Sequence, residues 1–184
     1  TSDGKEIDTV LELQQLVNGV LGTRAQALQA IVNFAEANRV SKSLVDAGLG
    51  YVANVPVPTA QTYQDAGVNG TVNSADAASF TDALATSFIT GSSVNELSKL
   101  QTLVDSYRKF FALADGPTSP TTAPQLNTQD CVNLGVETSL LSNVNRERLF
   151  SDIVDRQSRT GIDTIAKINQ LAIIRHMGVV RVRP

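Results

Sequence analysis

The sequence predicts an all-α protein: a helical bundle built from imperfect repeats of about 68 residues, with one or two short extended segments. Three observations carry this. An amphipathic pattern opening on an apolar residue and Asp or Asn occurs at 7–17, 94–104 and 162–172, with apolar residues at helical intervals after it. Two short segments, 58–68 and 126–136, align at a spacing of 68, which also takes Ser74 to Ser142 and Asn95 to Asp163. The composition, 42% hydrophobic and 18% charged over 184 residues, suits a packed chain and not a disordered one.

Taken in order, Asp8 reads as the cap of an opening helix with Val10, Leu13 and Leu16 on its apolar side. A separate helix is expected over 24–38, where Ala27, Leu28, Ile31, Val32, Phe34 and Ala35 make an apolar face, and a further one from Ser41 to Gly48. These make the first copy longer: Asp8 and Asn95 are 87 residues apart. Residues 51–57, rich in Val and bounded by Gly50 and Pro58, read as extended.

Thr59 and Asn127 are expected to cap helices of one or two turns, which Gly67 and Gly135 end because only glycine enters the left-handed region without a Cβ penalty. Middle helices are expected to start at the caps Ser74 and Ser142. Their faces are Ala77, Phe80, Leu84 and Phe88 in the first, and Leu149, Ile153 and Val154 in the second. Long helices follow the caps Asn95 and Asp163. The first carries Leu97, Leu100, Leu103, Val104, Tyr107, Phe110, Phe111 and Ala114 before Gly116-Pro117 stops it, and a Pro/Thr loop runs to Pro124. Residues 179–184, β-branched and closed by Pro184, read as extended. Seven to nine helices result, divided as 1–57 with the extra helix, 58–125, and 126–184 with a basic extension.

The net charge of −3 is unevenly spread. Residues 1–142 hold 7 Lys/Arg against 14 Asp/Glu, and 143–184 hold 8 against 4. Nucleic acid is not an expected partner, because the chain is acidic as a whole and has no stacking aromatic after Phe150. Opposite charge at the two ends fits head-to-tail contact between copies or with neighbouring repeats, and equally fits two solvated faces. Self-association is expected to use Tyr51 and Val55 in one extended segment, and Arg175, Val179, Arg181, Val182 and Arg183 in the other. No uninterrupted apolar run is long enough to span a membrane. The N-terminus, without Met or a signal-type core, reads as a mature end or an excised piece.

Chemistry is hard to place. A hydrolytic triad needs a base beside a nucleophile, and the one His, His176, falls at a helix end beside Arg175, where a structural role fits better. Zinc needs three or four ligands, which one His and one distant Cys do not supply. Cys131 aligns with Tyr63 and reads as a small buried residue. Gly48-Leu49-Gly50 lacks the rest of a phosphate loop, and Asp65 with Asn69 lacks the late Glu of a calcium loop. Asp152 and Asp155 sit among arginines, as in a surface ion-pair network. No catalytic, cofactor or metal residue is assigned, and the chain is read as a non-enzyme needing no cofactor.

Residues 8–18, 58–68 and the Asp115-Gly116 stop followed by a Pro/Thr loop resemble the helical repeats of very large, adhesin-like bacterial cell-surface proteins. The resemblance covers most of 6–172; the helix at 24–38 and the Arg-rich end depart from it. It implies an extracellular or cell-surface location and a structural or adhesive role, with self-assembly into a filament or layer as one use. The alternative is a helical module that binds a heterologous protein or surface ligand.

Overall fold

The structure is a computed structural model that describes residues 10–46, 54–114, 125–138 and 144–180, with side chains described except at 39–46, 144–145 and 174–180. The described residues form seven α-helices and two 3-10 turns, with no strand. The fold class is all-α.

Helix α1 runs unbroken over Val10–Asp46, where separate helices were expected at its opening, at 24–38 and from Ser41. Nothing in the segment forces a break. It holds no proline, Gly19 and Gly22 lie in open space, and Thr23 Oγ1 donates back to the Gly19 carbonyl at 3.1 Å. Two glycines cost roughly 1 kcal/mol each, which an Ala- and Gln-rich helix of this length absorbs. Asp8, the expected cap, lies outside the described residues.

After the irregular stretch 54–59, the short helix α2 spans Ala60–Asp65. Thr59 Oγ1 accepts from the Thr62 N–H, and the Thr62 hydroxyl accepts from the Thr59 N–H. Gly67, at φ +92°, closes it: its N–H donates to the Gln64 carbonyl, and the Val68 N–H reaches back to that of Tyr63. Helix α5, Thr128–Asn133, is built in the same way. Asn127 and Asp130 exchange the capping bonds, Gly135 at φ +72° ends the helix, and the Val136 N–H donates to the Cys131 carbonyl.

Helix α3 spans Ser74–Leu84, but its cap is Asn73 and not Ser74. The Asn73 side chain accepts from Asp76, whose carboxylate accepts from the Asn73 N–H. An Asn with a carboxylate three residues on offers a reciprocal pair that starting one residue later would forfeit. Ala77, Phe80 and Leu84 are buried as expected, while Phe88 lies past the helix end and is exposed.

Two 3-10 turns, Gly91–Ser93 and Arg159–Gly161, lead into the long helices α4, Leu97–Ala114, and α7, Ile165–Val180. The helices therefore begin two residues after Asn95 and Asp163. Both side chains instead accept from a lysine one turn on: Lys99 Nζ to Asn95 Oδ1 at 2.7 Å, and Lys167 Nζ to Asp163 Oδ1 at 2.6 Å. The same lysines also donate to the carbonyls of Ser92 and Thr160. The cap of α7 is Thr164, which accepts from the Lys167 N–H. Helix α7 carries Val179 and Val180, so that pair is helical and not extended; β-branched preference is weak against a helix already under way.

Helix α6, Val144–Asp155, turns Phe150 and Val154 inward, while Leu149 is exposed and Ile153 half-buried. Of the expected face Val154 is buried, whereas Leu149 is turned out and Phe150, the larger side chain, takes the core beside it. Ser142 lies outside the described residues.

The core gathers round α4. Leu100, Leu103, Val104, Tyr107, Phe110 and Phe111 are all buried there, in one cluster that runs from Ile31 on α1 to Ala172 on α7. A chain of ring contacts crosses it: Tyr63 to Phe80 at 5.6 Å, Phe80 to Tyr107 at 5.9 Å, Tyr107 to Phe111 at 4.8 Å, and Phe110 to Phe150 at 6.0 Å. Such contacts stabilise by about 0.5–1.5 kcal/mol each beyond their burial.

Candidate functional site

The polar groups that enter the interior do so as helix-end ligands and inter-element ties. Asp82 on α3 accepts from the Ile165 N–H at 2.6 Å, so a carboxylate from one helix caps the start of α7. Glu147 on α6 accepts from both the N–H and the hydroxyl of Thr128 at 2.6 Å, fixing the first turn of α5. These two bonds hold its carboxyl below the usual range, the side-chain bond contributing most. Buried Asp130 pairs with Lys109 of α4 at 2.7 Å. Buried Asp76 pairs with Arg159, whose guanidinium lies 4.0 Å from the Phe111 ring centroid. Tyr107 Oη donates to the Ile162 carbonyl at 3.1 Å.

Two cross-bonds join a loop to a long helix. The Asn69 N–H donates to Gln101 Oε1 at 2.8 Å, and the Glu137 N–H donates to Asn169 Oδ1 at 2.9 Å. Among the described residues every buried side-chain nitrogen and oxygen has a partner. These groups are committed to holding the fold.

The buried titratable groups point the same way. Cys131 is a free thiol inside the core. Burial above all, then the neighbouring carboxylates of Asp130 and Glu147, pushes it up to about 12, so at neutral pH it is a protonated apolar filler and not a nucleophile. Burial also raises the phenols of Tyr63 and Tyr107 well above their ordinary range. Tyr63 Oη bonds Thr81 Oγ1 at 3.0 Å.

Of the residues expected to mediate self-association, Val55 is half-buried against the core. Arg175 and Val179 lie in α7, beyond the described side chains. Tyr51, Arg181, Val182 and Arg183 lie outside the described residues, as does the side chain of His176. Asp152 and Asp155 are both exposed.

No three His, Cys, Asp or Glu side chains among the described residues group as a metal site would require. A cavity of about 520 Å³ between α1, residues 57–60 and α3 is walled mainly by Phe34, Val57, Pro58, Ala77 and Ala78. Its polar members include Thr81, bonded to Tyr63, and Asp82, bonded to the start of α7. None of the described helices is long and apolar enough to cross a membrane.

Sequence reasoning missed Asp82, Glu147 and Arg159, since each acts on an element far along the chain and leaves no local signal. The Asn73–Asp76 pair was readable, as an Asn followed three residues later by a carboxylate. Comparison with protein-family models, with curated proteins and with solved structures finds no match for this chain.

Proposed function

We propose that the chain is a non-enzymatic structural or adhesive module of a bacterial surface protein, made of imperfect helical repeats of about 68 residues that pack on one another and on further copies. One observation carries the reading: local features recur at that spacing. The caps Thr59 and Asn127, the positive-φ glycines Gly67 and Gly135, and the two 3-10 turns are so related. The lysine ties at Lys99 and Lys167 and the cross-bonds from Asn69 and Glu137 follow the same spacing. The shared features are stops, caps and packing contacts, which suits a module whose task is to be stacked. The surface location rests on the family resemblance of these segments, and the assembly on the opposed charge of the two ends.

Size-exclusion chromatography with electron microscopy of the purified chain across a salt series tests this. Opposed fields are screened within about 10 Å at 0.1 M salt, so assemblies are expected to grow as salt is lowered and to shrink as it is raised. A particle size independent of salt overturns charge-driven assembly. A stoichiometric heterologous partner recovered on immobilised protein would favour the binding-module reading instead.

A further inference from the structure

The first half of α1 carries an uncovered apolar face. Leu13, Leu16 and Val17 stand 18 residues, or five helical turns, before Ile31, Phe34 and Ala35, so the two trios share one side of the helix. The later trio is sealed in the core at 0, 8 and 0% exposure; the earlier is 48, 53 and 41% exposed. Val10, Val20 and Leu21 extend the bare stripe and are exposed too. The helix therefore projects past the body with the same oily side it uses to pack on the body. Beneath its root is an open groove of about 560 Å³ lined by Leu16, Gly19, Val20, Arg24, Gln64 and Asp65.

We propose that this face pairs with the same face of a second copy, the two projecting helices crossing antiparallel near Asn18. Three features choose that occupant. The stripe continues a face already used for helix packing, so its spacing suits another helix. Over residues 10–23 the only charge is Glu12, so two copies meet without the repulsion that a charged surface would bring. Antiparallel crossing centred on Asn18 keeps the two Glu12 carboxylates about twelve residues apart along the pair, whereas parallel pairing would set them side by side. Six apolar side chains and their neighbours on each helix cover on the order of 600 Å² per copy, at the lower bound of a stable specific interface.

The proposal rests on the assembling-module reading only in taking a second copy as partner. It differs in its salt dependence, since apolar pairing survives salt that screens charge. Sedimentation velocity of the full chain at 1 M salt, over a wide protein concentration range, is the test. A species of twice 19.6 kDa is expected, and the triple variant L13E/V17E/V20E is expected to weaken it by more than about tenfold while leaving the far-ultraviolet circular dichroism unchanged. A wild-type monomer at every concentration, or a dimer untouched by the triple variant, overturns the pairing. Register is checked by oxidising a mixture of the single variants L13C and R24C, since the native thiol is buried. Disulfide forming preferentially between the two variants supports the antiparallel crossing, and preferential L13C–L13C bridges overturn it. Loss of salt-dependent growth at low salt would instead count against the charge-driven reading alone.

Discussion

At Gly135 a side chain has nowhere to go. Its φ of +72° is one that L-residues rarely adopt, and an added Cβ would press on Thr86 Oγ1 and Cβ and on Ile89. At Gly67, φ +92°, the obstacle is the far end of the flexible Arg24 side chain. Gly67→Ala is expected to cost about 1 kcal/mol from the backbone alone, and Gly135→Ala clearly more, as read from denaturant midpoints. Equal losses would mean that the Thr86 contact yields freely. Titration gives a second residue-scale expectation. The folded phenols of Tyr63 and Tyr107 are raised, so the unfolded chain releases those protons first, near its ordinary pKa of about 10. Their contribution is whole below that value and is lost as pH rises above it, so stability should fall in alkali. Tyr63→Phe should flatten that fall, a comparison made by thermal melts from pH 8 to 11. Glu147 has the opposite sign. Its lowered carboxyl contributes above the unfolded value and loses that contribution as pH falls through the folded one, and Glu147→Gln should remove that part of the acid dependence.

Among the elements, the helix ends were the most legible in sequence. Thr59 and Asn127 with Gly67 and Gly135 are local signals that local geometry answers, and Asn73→Ala or Asn127→Ala should each cost about 1 kcal/mol of stability by the same logic. The apolar face of α4 was legible because seven buried positions keep one helical period. The continuity of α1 was not, because the extra helix was inferred from the 87-residue spacing of Asp8 and Asn95 and from the face at 24–38, neither of which says where one helix ends and the next begins. The helical state of Val179 and Val180 was not, because β-branching describes a preference and not a partner. On α6 Val154 was legible but Phe150 was not, because Leu149 fits the same apolar spacing and the partner of Phe150, the ring of Phe110, lies on another helix. Phe110→Ala should cost about 3–5 kcal/mol, the usual loss for a buried aromatic, and should destabilise α6 along with α4.

For the whole molecule, α4 is the axis. It packs on α3 before it and on α5 and α6 after it, while Asp82 and Arg159 tie α3 to the start of α7 and to its 3-10 turn. The carboxylates of Asp76, Asp82, Asp130 and Glu147 are spent on helix ends. Among the described residues the buried polar side chains are all partnered, and seven of the twelve exposed large apolar side chains lie along α1, with Val57, Phe88, Val132, Leu149 and Ile173 elsewhere. Residue-resolved amide hydrogen exchange on the native chain tests this architecture most directly. The account predicts that α4 exchanges slowest, that α2–α3 and α5–α6 open together with it, and that 10–24 of α1 exchanges far faster at low protein concentration. An α4 as labile as that projecting segment, or separate opening of the two flanking pairs, would contradict it.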